Sequence, residues 1–515
     1  MNIRIVIRQL GLVLIVLSFF MGGAALWGGA HWFSSTELDQ MATLALVTAI
    51  AIGAISGLVF WLMGRQGGIE VLGRREALLL VALSWLIGAA LSALPFYYWA
   101  MMQNQKIVGD HPFTSFISCY FEAMSGLTTT GATVLSHIEV IPHSLLLWRA
   151  TTHWLGGLGI VVLFVAVLPT LGVGGKKLFQ VESPGPQKQG VRPRIKETAR
   201  VLWLIYLLLT LTEIFALGIC GVNWFDAVCH TFATLATGGF STMNASIGHY
   251  NSWAVDMVII LFMVLAGLNF GLYYQLARRR FDIVRRDPEM RAYFTIILVA
   301  TLIITASIVG QRLTNTSGEV TESLGLADAA RYSLFQVVSI QTTTGFCTAD
   351  FNLWHFLPKA VLVILMFVGA SAGSTGGGIK VVRVLVAFKV IVSEVERVFR
   401  PRVVRTVKLG RSVIDPELRL SVLVYVLGIL LLFGLGAVAI MFIEPAGTIT
   451  FTTAATASAA TLNNIGPGLG RVGAVENYGF FSPLSKLVMS MLMVLGRLEV
   501  YAILVLVFPR FWRSD

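Results

Sequence analysis

The chain has 515 residues, 56% of them hydrophobic and only 13% charged, with a mean hydropathy of +0.78. Soluble domains carry roughly a quarter charged residues, so an ordinary globular enzyme is excluded. The formal net charge of +11 raises nucleic acid as a partner, but the Lys and Arg residues gather at residues 4–8, 65–75, 176–200, 278–291, 380–419 and 510–513, between apolar runs.

Two apolar helices are predicted first, over about residues 9–30 and 41–63, joined by a loop that holds Glu37 and Asp39 and lacks Lys and Arg. Arg4 and Arg8 ahead of the first run imitate a signal peptide. The run continues to about Ala30 without a cleavage site, so it reads as a retained helix. A pattern then recurs four times: a long apolar helix, a short, weakly apolar segment ending in Thr and Gly, and a second long helix. The long helices are predicted over residues 76–100 and 146–170, 199–221 and 252–277, 292–311 and 356–395, and 417–443 and 484–508. About 20 apolar residues span a bilayer core of roughly 30 Å, so these helices make ten crossings. Each basic cluster then follows an even number of crossings, as the positive-inside rule requires, and both termini are expected in the cytoplasm. The predicted units are a two-helix unit over residues 1–70 and pore repeats over 71–175, 176–280, 281–400 and 401–515.

Aligned on their ends, the short segments give Thr129-Thr130-Gly131, Thr237-Gly238-Gly239, Thr343-Thr344-Gly345 and Asn464-Ile465-Gly466. Near-constant spacing of the glycines marks a repeat architecture. The helical part of each segment holds about 12–16 residues, too short to span, so it enters the membrane and turns back. Such backbone is tolerated only when it is buried in protein or lines a water-filled cavity. The predicted fold is therefore an all-α integral membrane protein with ten transmembrane helices and four re-entrant pore loops around one pseudo-fourfold pore.

A permeating cation sheds water, and rings of backbone carbonyls replace that water. Glycine supplies the left-handed angles the loop needs and lets four chains approach one axis, whereas threonine is compatible with extended backbone and offers a hydroxyl. The four short helices would point their partially negative C-terminal ends at the cavity. These loops resemble those of the potassium-transporter superfamily that comprises the Trk, Ktr and plant HKT proteins, and the likeness covers nearly the whole chain. The helix pair before the first repeat is similar to the TrkH and TrkG branch and is absent from KtrB. The resemblance implies potassium uptake, with K⁺ at the filter residues named above. A serine in the first loop goes with sodium transport in that family, and this chain has Gly131 there. The fourth loop departs most, with Asn463 and Asn464 in place of threonines.

Two further features resemble the family's gate. Residues 369–378 hold five glycines, among them Gly373, Gly376, Gly377 and Gly378; at roughly 1 kcal/mol lost per glycine this is no stable helix. It resembles the family's intramembrane loop beneath the filter. Arg497 is expected near the middle of the last span, where a charge costs at least about 2.5–3.5 kcal/mol and needs a partner or a water cavity. It matches the family's arginine below the filter, with Glu122 as its expected partner. Lys380 is expected in a cytoplasmic cavity.

Asp110, Asp226 and Asp328 read as helix caps that also concentrate cations at the outer mouth. His153 and Trp154 read as helix packing with no ligand role. The four cysteines, Cys119, Cys220, Cys229 and Cys347, lack disulfide or metal spacing. The resemblance further implies a homodimer in a bacterial inner membrane, gated by a cytosolic ring of TrkA-like nucleotide-binding subunits. Residues 176–200 and 394–419 are its candidate docking surface, or bind anionic lipid. The other transport reading is a symporter driven by protons or sodium, for which Glu122, Glu213 and Glu499 are the intramembrane carboxylates.

Overall fold

A computed structural model describes every residue except 34, 66–72, 104–110, 167–190, 401–405, 411 and 513–515. Asp110 and parts of the two basic stretches at 176–200 and 394–419 therefore lie outside the described residues. Helix α1 (Ile3–Ala30) and helix α2 (Glu37–Gly64) form an antiparallel pair. A capping box between Thr36 and Asp39 starts α2, satisfying two backbone donors that the first turn would leave open. The pair packs close because a Cβ at Gly11 would lie 2.5 Å from the Gly57 carbonyl oxygen.

The first repeat comprises α3 (Arg74–Met102), the short α4 (Phe116–Leu127) and α5 (His143–Ala166). The second comprises α6 (Val191–Ile219), the short α7 (Trp224–Leu235), α8 (Trp253–Gly267) and α9 (Phe270–Ala277). After a small connecting helix, α10 (Phe281–Arg285), the third repeat holds α11 (Pro288–Ile308), the short α12 (Leu326–Gln341), α13 (Phe356–Val368) and α14 (Val381–Phe399). The fourth holds α15 (Pro416–Ile443), the short α16 (Phe451–Leu462), α17 (Pro483–Arg497), α18 (Tyr501–Val507) and α19 (Pro509–Trp512). Two antiparallel hairpins of two-residue strands, at residues 313–321 and 408–413, decorate the connections.

By length and composition, six helices among the described residues can cross a bilayer, and α8 with α9 makes a seventh. Their outward faces are apolar: Leu427, Leu431, Leu435 and Phe442 on α15 are all exposed. Such a face is disfavoured in water and suits lipid. The four short helices are instead mostly buried beyond their first turns, enclosed by the long ones.

Three second helices break, where the sequence predicts a break in the third repeat alone. The chain bends by 92° between α8 and α9. Leu268 is extended there, Asn269 caps α9 through the Gly271 N–H at 2.8 Å, and the Phe270 N–H donates to Gly373 O at 3.1 Å. The last helix stops at Arg497, and Glu499 and Val500 take positive φ of 55° and 65°. Arg383 on α14 fixes that corner through an ion pair of 2.8 Å to Glu499. Tertiary partners thus replace the helix hydrogen bonds lost at each break.

Candidate functional site: a four-loop ring and the segment beneath it

Each short helix ends in the same hydrogen-bonded motif. In the first, the Thr129 N–H donates to Gly126 O and the Thr130 N–H to Ser125 O. The pairs Thr237–Thr234 and Gly238–Ala233, Thr343–Ile340 and Thr344–Ser339, and Asn464–Thr461 and Ile465–Ala460 repeat it. This is a Schellman closure, whose turning residue must be left-handed. That residue is Thr129, Thr237, Thr343 or Asn464, with φ of 53°, 53°, 59° and 55°. Threonine is thus left-handed at the turn rather than extended, because the closure and not the side chain dictates the angle.

Two residues later comes the glycine of each loop: Gly131, Gly239, Gly345 and Gly466, with φ of 79°, 77°, 82° and 94°. These glycines also carry the contact between loops. A Cβ at Gly131 would strike Gly238 O, one at Gly239 would strike Thr344 O, one at Gly345 Ile465 O, and one at Gly466 Thr130 O. The contacts run from the first loop to the second, third and fourth and back to the first, so the four loops close into a ring. The glycines line an open cavity of about 100 Å³, with Arg149 and Glu476 on its wall. The helices that end at the ring direct their C-terminal partial charge toward it, which favours a cation.

The loops are unequal behind this common backbone. Thr128 and Thr130 share a hydroxyl hydrogen bond of 2.8 Å, and Thr342 and Thr344 share another of 2.8 Å. The second loop has Ala236 and Gly238 at those positions. In the fourth, Asn464 Nδ2 reaches across to Thr130 Oγ1 at 3.0 Å and to Met493 O at 2.9 Å.

Residues 369–380, between α13 and α14, lie against the helix-terminal side of the ring. The Gly377 N–H donates to Thr343 Oγ1 at 2.7 Å, and Thr375 Oγ1 donates to Leu235 O at 2.9 Å. A Cβ at Gly377 would lie 2.5 Å from Asn463 O, and one at Gly376 would lie 2.9 Å from Thr342 O. This segment therefore covers the ends of α7, α12 and α16 at once, through the Thr375 hydroxyl at α7 and through positions without side chains, Gly376 and Gly377, at α12 and α16. Arg497, buried, donates to Thr375 O at 2.7 Å and to Gly156 O at 3.2 Å. Lys380 Nζ donates to Gly376 O at 2.6 Å, and Glu289 Oε1 accepts from the Ala372 and Val382 N–H groups.

The family profile for TrkH, a cation transport protein, matches residues 97–514. The chain is 37% identical over 520 residues to the Trk system potassium uptake protein TrkH of Escherichia coli K12, covering 100% of both chains. The chain belongs to the TrkH family. It is also 38% identical over 516 residues to TrkH of Halomonas elongata, again covering 100% of both. The crystal structure of the potassium transporter TrkH from Vibrio parahaemolyticus superposes with a TM-score of 0.84 at 33% identity, covering 100% of each chain.

In this TrkH-family fold the residues singled out by sequence fall together in two layers, the ring and the segment packed under it. Several expectations change. Arg497 does not pair with Glu122; that carboxylate takes Arg149 Nε at 2.7 Å, Thr133 Oγ1 at 2.8 Å and the Val134 N–H at 2.9 Å. Arg497 ends a helix instead of standing in the middle of one, and carbonyl oxygens serve it in place of a counter-ion. Lys380 is buried and tied to the glycine segment, and it lines a small cavity together with Gly376, Tyr425, Arg497 and Glu499. Asp226 and Asp328 sit in first turns without being the caps, which are Asn223 and Gly325. Asp226 is buried and accepts from Thr242 Oγ1 at 2.6 Å, so it anchors the outgoing chain of the second loop and is no mouth acid. The sequence pointed to Asn464 as a filter residue but not to its side-chain bridge to Thr130 and Met493, passed over Arg149, and gave His153 a packing role alone. The one signal for Arg149 was a cation inside an apolar run with a carboxylate, Glu122, on the preceding short helix.

Proposed function

We propose that this chain takes up potassium through a channel-like pore whose selectivity filter is the four-loop ring. The observation that carries the reading is ring closure: four loops with matching left-handed residues contact one another in cyclic order through their glycines. The relatives that match along the full chain carry the words potassium uptake in their names, which supports the ion. In this reading K⁺ meets the backbone carbonyls of Thr129–Thr130–Gly131, Thr237–Gly238–Gly239, Thr343–Thr344–Gly345 and Asn464–Ile465–Gly466, which replace its hydration shell. Ten crossings result when α5, the broken pair α13–α14 and the pair α17–α18 are counted with the seven apolar spans. The four repeats then share one pore, both termini face the cytoplasm, and the membrane is the bacterial inner membrane.

The same reading makes residues 369–380 the gate and Arg497 its latch, because the segment covers three helix ends and Arg497 holds it by a backbone oxygen. A homodimer and a TrkA-like cytosolic ring are the proposed assembly that moves this segment. The test is ion flux in proteoliposomes with K⁺, Rb⁺ and Na⁺, with and without the cytosolic partner. Gly131→Ser should lower the K⁺/Na⁺ flux ratio by about tenfold or more, since a side chain at φ 79° must displace the Gly238 carbonyl. An unchanged ratio in well-folded protein removes the filter assignment.

A further inference from the structure

We propose that His153 is a positioning residue of the selectivity ring, a neutral imidazole that fastens the second loop to the end of the first short helix. The proposal rests on reading the ring as the ion filter. His153 lies on α5 and is fully buried. Its Nε2 accepts from the Phe240 N–H at 3.1 Å, immediately after Gly239. An acceptor Nε2 in a neutral ring leaves the proton on Nδ1, so the Nδ1–H donates to Gly126 O at 2.7 Å. One side chain thus spans the closure of the first helix and the outgoing strand of the second loop. Its orientation is fixed by two bonds of opposite polarity that no other neutral side chain of that shape reproduces.

The surroundings lock it further. Phe240 stacks on the imidazole with centroids 4.1 Å apart, and the Arg149 guanidinium, one turn earlier on α5, lies 3.4 Å from the centroid of the Phe240 ring. Arg149 also donates to Ser241 O at 3.0 Å. Helix α5 therefore grips the second loop at residues 240 and 241 through consecutive turns.

His153 also accounts for the odd sequence of that loop. The first and third loops carry Thr130 and Thr344 where the second carries Gly238. A Cβ at Gly238 would lie 2.5–2.7 Å from three atoms of the imidazole. The histidine occupies the space that the threonine side chain and its hydroxyl bond fill in the other two loops. The second loop has exchanged an internal Thr–Thr tie for an external one to α5.

The experiment compares His153→Phe, Gly238→Ala and Gly238→Ala with His153→Ala, alongside Gly131→Ser, by K⁺ and Na⁺ flux in proteoliposomes and by monodispersity in detergent. His153→Phe keeps the bulk and loses both hydrogen bonds. It should lower the K⁺/Na⁺ ratio by about fivefold, the factor that roughly one net hydrogen bond supports. Gly238→Ala should abolish flux or folding, and adding His153→Ala should restore both. A monodisperse His153→Phe protein with an unchanged ratio overturns the proposal, as does a Gly238→Ala defect that His153→Ala does not relieve. If Gly131→Ser lowers the ratio while His153→Phe does not, only the His153 proposal fails; if neither changes it, the filter reading fails first.

Discussion

A β-branched residue at positive φ is uncommon and costs of order 1–3 kcal/mol, yet Thr129, Thr237 and Thr343 all adopt it at equivalent positions. Glycine would relieve the strain at each and would also delete a hydroxyl at the helix end beneath the ring. The Thr343 hydroxyl accepts from Gly377 N–H, which places a backbone donor where the proposed ion path would otherwise meet an oxygen. Arg497 is the other residue whose placement matters singly. Among the described residues its charge is met by two carbonyl oxygens and by no carboxylate. In the proposed gate, Arg497→Ala removes the bond to Thr375 O, worth about 1.5–3 kcal/mol for a charged donor. Basal K⁺ flux without the cytosolic partner should therefore rise by about tenfold or more, with Arg497→Lys intermediate; equal or lower flux in monodisperse protein contradicts the latch.

Elements decide the rest of the proposed gate. A long apolar run reads as one helix wherever hydropathy is uniform, so 252–277 and 484–508 give no hint of breaking. Only the glycine density at 369–378 announces a break, because five missing side chains are visible in the sequence itself. Inside the fold, the three breaks come into contact: Phe270 N–H meets Gly373 O, Arg497 meets Thr375 O, and Arg383 after the loop meets Glu499. The proposed gating segment is thus held by the corners of other helices. Deleting part of 373–378 should raise basal flux, whereas Gly377→Ala should lower thermal stability because its Cβ would stand 2.5 Å from Asn463 O. Flux in proteoliposomes and Tm in detergent check the two; a wild-type Tm for Gly377→Ala would mean that the segment does not press on the ring.

At the scale of the whole molecule, the ring is pseudo-fourfold in backbone and asymmetric in chemistry. Matching hydrogen bonds close all four short helices, while Thr–Thr pairs, the His153 tie and the Asn464 bridge hold different loops. Buried ion pairs fasten the repeats: Arg149–Glu122 within the first and Arg331–Asp256 between the second and third, each at 2.7 Å. Removing one partner leaves a buried charge and costs about 3–5 kcal/mol. Glu122→Ala should accordingly lower Tm markedly and loosen the Thr133–Val134 exit of the first loop, whereas Glu122→Ala with Arg149→Met should recover most of the loss. A double variant no more stable than the single one argues against a paired charge.

By itself the sequence determined the four glycines, the short helices that precede them and the glycine-rich break. Each of these is written in local properties: periodic hydropathy, segments too short to span, and missing side chains. It did not determine the left-handed threonines, since threonine has no such preference and the angle comes from closing the helix. Nor did it determine the partners of Glu122 and Arg497, which are chosen by distances between residues far apart in the chain. Most of all, the exchange of a threonine for Gly238 has a cause 85 positions away, in the imidazole of His153. Only the packed structure brings that ring beside the loop, because side-chain volume in a buried site is a property of neighbours and not of order along the chain.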